Sequence, residues 1–170
     1  MIFKDEFSGR ADWPLLQNGA VHLYWKPEVY EDAIQSLKTL NYRIMNIHYE
    51  NIDQFKSDLS SSLKWQEQFG YSPWDGNLNA LNDGIREEPF NSSDRNAICI
   101  SNYQALASDD KYFAFKLLDL IARHSRDYLL FGKVLIGLIQ TNDPNFRCEG
   151  IGGTQASWNL SEWKNSSRGL

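Results

Sequence analysis

The sequence predicts an α/β fold with a small, mainly parallel sheet, and three observations carry that prediction. β-rich apolar runs alternate with stretches of helical periodicity along the whole chain. Two of the runs, NAICISNY at 96–103 and KVLIGLIQ at 133–140, are apolar almost throughout, as strands covered on both faces are. The intervals between runs are long enough to hold crossover helices, which is what joins parallel strands. With 170 residues, 42% apolar and 23% charged, the chain has the composition of a single domain able to build its own core.

The elements follow in order. AVHLYW at 20–25 reads as a strand that stops at Lys26-Pro27. Pro27 suits the first turn of a helix, Glu28, Glu31 and Asp32 suit its positive end, and Val29, Ala33, Leu37 and Leu40 recur at helical spacing, so 27–40 is helical. YRIMNIHY at 42–49 is the second strand. From Asn51 a helix carries Ile52, Phe55, Leu59 and Leu63 on one face and ends near Trp65; the loop FGYSPWDG at 69–76 follows, then a helix over 77–87 with Leu78, Leu81 and Ile85 inward. Strand 96–103 comes next. Ser108 looks like the cap of a helix over 109–126, with Arg123, His124 and Arg126 in its last turn. Strand 133–140 completes the order βαβααβαβ, bounded by Gly132 and by Asn142-Asp143-Pro144. The tail 145–170 contains Trp158 and Trp163, which argue that it docks on the body, with a short helix from Asn159.

Several function classes lose support at this level. Cys99 lies in an apolar run and Cys148 in a polar one, which suggests a buried and a surface thiol in a reducing cytoplasm, with no bridge. The N-terminus MIFKDEFSGRADW offers no apolar core for a signal peptide, and no run is long enough to span a bilayer. The sequons Asn91-Ser92-Ser93 and Asn165-Ser166-Ser167 then carry no meaning. No HExxH, CxxC, GxSxG or P-loop spacing occurs, and Gly150 with Gly152-Gly153 makes only a loose glycine cluster. His22 and His48 fall within strands, where a packed or sheet-face imidazole is the default, and Glu87-Glu88 are adjacent and diverge on a helix; neither set suits catalysis.

The charge distribution is more informative. Of 22 acids and 17 bases, the segment from Glu50 to Phe90 holds eight acids and three bases, so it carries the whole surplus of −5. Such a field repels nucleic acid and favours a basic partner, although a solvated acidic face accounts for the same numbers. Within the segment, Asp75, Asn79, Asp83 and Arg86 line the face of the 77–87 helix opposite Leu78, Leu81 and Ile85, with Asn82 beside them. Short acids and amides lose little rotamer entropy when clamped and accept several hydrogen bonds from arginine or lysine, which makes a rigid hook for a cationic cleft. Tyr71 and Trp74, flanked by Ser72, Pro73 and Asp75, read as partly exposed interface aromatics, and Asn77 as the helix cap.

The run Asn77-Leu78-Asn79-Ala80-Leu81-Asn82-Asp83-Gly84-Ile85 resembles the core motif of the barstar-type inhibitors of barnase-like ribonucleases, approximately N-[LW]-D-A-L-x-D-x-L after an aromatic loop with proline and glycine. The likeness covers about residues 20–141 in element order, with 145–170 as an extension. It implies a barstar-like layered fold and a non-catalytic, cofactor-free, metal-free cytoplasmic immunity protein, monomeric when free. Such a protein blocks the cationic active site of a ribonuclease or ribonuclease-like toxin. Asp83 matches the aspartate that enters the enzyme's active site, Asn79 stands where the family has a second interface aspartate, and Asn82 where barstar itself has tryptophan. The family also uses an acid on the long helix, and Asp119 is the nearest candidate; a merely solvated aspartate fits the same position. Gly84 replaces a mid-helix side chain and on propensity alone costs up to ~1 kcal/mol relative to alanine. A barstar-related binding module with a partner other than a ribonuclease is the alternative reading, and a small hydrolase a third.

Overall fold

A computed structural model describes residues 10–170; the N-terminal stretch read above for a missing signal-peptide core lies outside the described residues as far as Gly9. The elements are α1 (Trp13–Gln17), β1 (Val21–Tyr24), α2 (Pro27–Thr39), β2 (Arg43–His48), α3 (Ile52–Ser62), α4 (Trp65–Phe69), α5 (Leu78–Ser92), β3 (Arg95–Ser101), α6 (Tyr103–Asp109), α7 (Lys111–Leu130), β4 (Val134–Gln140), β5 (Glu149–Ile151), β6 (Thr154–Gln155) and β7 (Ser157–Trp158), with a 3₁₀ turn at Asn165–Arg168. Five strands form one parallel sheet in the order β2-β3-β4-β1-β7, and β5-β6 is a separate antiparallel hairpin.

The α/β class and the parallel sheet are as the sequence predicts, and chain direction explains the layers. The step from β1 to β2 crosses the sheet in the opposite sense to the steps β2 to β3 to β4. Right-handed crossovers therefore put α2 on one face and α3 to α7 on the other. Two buried clusters record this. Tyr30, Ile34 and Leu37 of α2 meet Ala97, Cys99, Val134, Ile136 and Leu138, while Ile98, Ile100, Leu135 and Ile139 point to the larger cluster with Phe55, Leu81, Leu117 and Ile121. Among the described residues no helix is long and apolar enough to cross a membrane.

Several boundaries differ from the sequence reading. The helix from Asn51, capped by that residue's side chain on the Gln54 amide, breaks at Leu63, where Lys64 takes a left-handed conformation and α4 starts anew. α5 continues five residues past Glu87, through Pro89. Proline has no N–H for the Ile85 carbonyl one turn back, and the Tyr128 hydroxyl takes that place at 2.9 Å. Ser108 is not the cap of the long helix: it lies in the last turn of the unforeseen α6, and Asp110 caps α7 by accepting from the Phe113 amide at 2.9 Å. α7 runs on to Leu130, so Arg123, His124 and Arg126 are interior and no base lies in its last turn.

The tail docks by means the sequence did not show. β7 pairs with β1, and no helix starts at Asn159, whose side chain instead donates to the Leu23 carbonyl at 3.0 Å. Glu162 is buried with both carboxylate oxygens accepting from the backbone amides of Trp25 and Lys26, each at 2.9 Å, at the start of α2. The Arg168 guanidinium lies 4.3 Å over the Trp158 ring and donates to the Glu162 carbonyl. Trp163, expected to dock, is 60% exposed. Both cysteines are free and buried, so Cys148 is not the surface thiol expected; it packs in the larger cluster with Phe146 and Ile151 nearby.

Candidate partner-binding site

The site is built on α5, which is anchored at three points. At its start the Asn77 side chain accepts from the Asn79 and Ala80 amides at 2.9 and 3.3 Å, confirming the cap. Trp74 is buried, contrary to its reading as an exposed aromatic. Its ring packs on Phe113 at 5.3 Å, its Nε1 donates to the Asn77 carbonyl at 2.8 Å, and its backbone amide donates to Ser60 Oγ at 2.7 Å. The polar neighbours in sequence concealed a residue that pins the loop to the core. In the middle, Gly84 lies against the Trp65 ring. Near the end, Tyr128 holds the carbonyls before Pro89.

With Leu81 and Ile85 buried beneath it, α5 turns a polar stripe outward. Asp75, Asn79 and Arg86 are exposed and the Asp83 side chain is half-exposed, at 50%. Asp83 Oδ1 accepts from Asn82 Nδ2 at 3.3 Å and lies 3.7 Å from Arg86 Nη2. Arg86 also donates to Glu87 at 2.8 Å, and that hydrogen bond with the charges of Glu87 and Asp83 raises the guanidinium's pKa. Asp75 uses one carboxylate oxygen on the Asn77 amide at 2.9 Å, so part of its capacity goes to shaping the turn. Tyr71 is exposed as expected, its ring 6.2 Å from that of Trp65.

Asn82 spans the stripe and the interior. Its Oδ1 accepts from Nε2 of the buried His124 at 3.1 Å while its amide nitrogen donates to Asp83. With Nε2 carrying the proton, His124 Nδ1 is a buried lone pair without a donor, 3.9 Å from Asp127 Oδ2. Burial lowers the His124 pKa, assisted by Arg86 and Arg123 and opposed by Asp127 and the Asn82 contact. The sequence reading groups this residue with the bases of the last turn, although Leu117, Ile121, His124 and Tyr128 share one helical stripe and all are buried.

Asp119 is not part of this surface. It is buried, accepts the Gly152 amide at 2.8 Å and pairs with Arg123 at 2.9 Å, fastening the β5-β6 hairpin to α7. Gly152 has φ +53°, and a Cβ there would stand 2.9 Å from that of Ala122, so only glycine brings its amide this close. Elsewhere, His48 Nδ1 meets Ser101 Oγ at 2.9 Å across directly paired positions of β2 and β3, the arrangement of a cross-strand pair. Among the described residues no three His, Cys, Asp or Glu side chains cluster so as to hold a metal ion. No family model, curated protein or solved structure matches the chain.

Proposed function

We propose that this chain is a non-catalytic inhibitor of the barstar type, a cytoplasmic immunity protein. In this reading α5 and its adjoining loop occupy the cationic active site of a ribonuclease or ribonuclease-like toxin. The observation that carries the reading is the half-exposed Asp83 carboxylate on a helix anchored at both ends and at its middle. A ribonuclease binds the scissile phosphate with cationic side chains, and a fixed carboxylate standing where the phosphate would stand excludes substrate. Charge speeds the encounter, and the desolvated pair slows dissociation. Asn79, Asn82, Asp75 and Tyr71, on the same helix and its leading loop, supply further contacts; Trp74 supports the loop from beneath.

The test is inhibition of a barnase-type ribonuclease by the purified protein. Asp83→Ala should weaken inhibition by about 2 to 5 kcal/mol while the thermal midpoint stays nearly constant, because the carboxylate is half in solvent already. Asn46→Ala, on the sheet edge, should leave inhibition unchanged. Undiminished inhibition by Asp83→Ala would remove the hook. A second reading, a related binding module for a partner other than a ribonuclease, is favoured by one observation: Asn79 and Asn82 present amides where the family has an aspartate and barstar itself a tryptophan. Capture of a toxin without loss of RNA cleavage would select it.

A further inference from the structure

Beyond Asp83 along the same helix, α5 and α7 end side by side and leave an apolar groove of about 390 Å³. Its floor is an aromatic pair, Phe90 and Tyr128, with ring centroids 5.1 Å apart, and Phe131 stands edge-on to Phe90 at 5.4 Å. Leu130 and Phe131 are 83% and 71% exposed, an unusual cost for side chains of that size on a water-facing turn.

The charge around the groove is acidic and incompletely neutralised. Two helices point their C-terminal, negative ends toward it, and neither has a base in its last turn. Asp127 on the rim lies 3.9 Å from His124, whose neutral form burial favours, while Arg86, which also lines the groove, is engaged by Asp83 and Arg123 by Asp119. Glu87 is paired with Arg86, and Lys133 covers one face of Phe90 at 4.3 Å while donating to its carbonyl and pairing with Asp94 at 3.4 Å. The field therefore suits a cation beside an apolar group. A second copy of this chain, with net charge −5 and the same acidic rim, meets it with like charge. Residues 83, 87 and 90 occupy one helical face at spacings of four and three, so the groove continues the Asp83 stripe over roughly 10 Å.

We propose that this groove receives an apolar side chain flanked by lysine or arginine, supplied by the same basic protein that Asp83 engages. The proposal rests on the inhibitor reading, and its test separates the two. The ¹⁵N-labelled protein is titrated with the peptide acetyl-Lys-Arg-Phe-Lys-Arg-amide, with its glycine-centred analogue, and with acetyl-Glu-Asp-Phe-Glu-Asp-amide. Saturable shifts at Phe90, Asp127, Tyr128 and Phe131 are expected for the first, at least about tenfold weaker binding for the other two, and a similar loss for the Leu130→Ser/Phe131→Ser variant. That variant should keep its thermal midpoint. The double-serine variant should also lose about tenfold in affinity for a barnase-type ribonuclease. Equal binding of the three peptides, no saturable shift, or unchanged ribonuclease affinity in the double-serine variant would overturn the proposal. So would a dimer seen by sedimentation that the double-serine variant dissolves. Failure of the wild-type protein to inhibit the ribonuclease sinks the Asp83 reading, whereas the peptide titration reads the groove by itself.

Discussion

Gly84→Ala separates two opposite expectations for the same atom. Helix propensity alone makes alanine better than glycine inside α5 by up to ~1 kcal/mol. The structure reverses the sign. A Cβ at Gly84 would stand 2.6 Å from Trp65 Cζ3, 3.3 Å from Cη2 and 3.4 Å from Cε3, so it meets the edge of a ring and not a flexible tip. Ordinary carbon contacts lie at about 3.5 to 4.0 Å, so the indole or the helix must retreat by roughly 1 Å. The indole has little room. Trp65 is fully buried and boxed by Phe69 at 4.3 Å, Tyr71 at 6.2 Å and Trp74 at 6.4 Å between ring centroids. Overpacking of this kind costs about 1 to 3 kcal/mol, which leaves a net loss near 1 kcal/mol after the propensity gain, a fall in Tm of about 2 to 4 °C for a chain of this size. Urea unfolding of Gly84→Ala, Trp65→Phe and the double variant closes a cycle with an expected coupling of about 1 to 2 kcal/mol. If Gly84→Ala alone raises the midpoint, the indole does not pack against α5 and the helix has no central anchor.

Three further outcomes follow from buried polar groups. Burial lowers the pKa of both His22 and His124 from the ordinary 6.5, so above that pH folded and unfolded chains are alike neutral at these sites; as pH falls through 6.5 the unfolded chain takes up protons that the fold refuses. Stability should then drop by up to ~1.4 kcal/mol per pH unit for each histidine until the folded-state values are reached, and urea midpoints between pH 7.5 and 5 in the wild type and His124→Gln, whose slope should be shallower, check this. Asp119→Ala leaves the Gly152 amide unpaired and should cost about 1 to 3 kcal/mol in urea unfolding with ribonuclease affinity unchanged; lost affinity at full stability would return Asp119 to the interface. Glu162→Ala strips both amides at the start of α2 of their acceptor and should cost about 2 to 5 kcal/mol, read by unfolding and by faster hydrogen exchange at Trp25 and Lys26.

What was legible in the sequence is what short-range pattern decides. The four long strands, α2 and the start of α3 carry their apolar spacing within ten or so residues, and α5's amphipathic face is readable because Leu81 and Ile85 sit opposite Asn79 and Asp83. The misread features depend on contacts far along the chain. β7 is two residues long and is a strand only because β1 lies beside it. α7 does not end at its cluster of bases because Tyr128, beyond them, has work to do on the carbonyls before Pro89. Asp119 was read as a surface acid although Leu117, Leu118, Leu120 and Ile121 surround it in sequence; its partner, the Gly152 amide, is 33 residues away. Trp74 was misplaced by the opposite error, polar neighbours standing for exposure.

The same contacts bear on how a hook can bind tightly. A carboxylate that must be ordered on association loses part of its attraction to that ordering, whereas one already fixed does not. Here the three anchors of α5 act on different groups. Trp74 and Asn77 fix where the helix starts, Gly84 against Trp65 fixes its distance from α4, and Tyr128 fixes the turn that carries Arg86 and Phe90. Asp83 lies between the first and the second, next to Gly84, and its carboxylate is held by Asn82, which His124 holds in turn. His124 makes this contact as a donor to the Asn82 oxygen, so the order of the outer carboxylate depends on a buried imidazole that touches no partner. Rigidity at the surface is thus supplied from the interior, which is where an acidic face that grips a partner should differ from one that is only solvated.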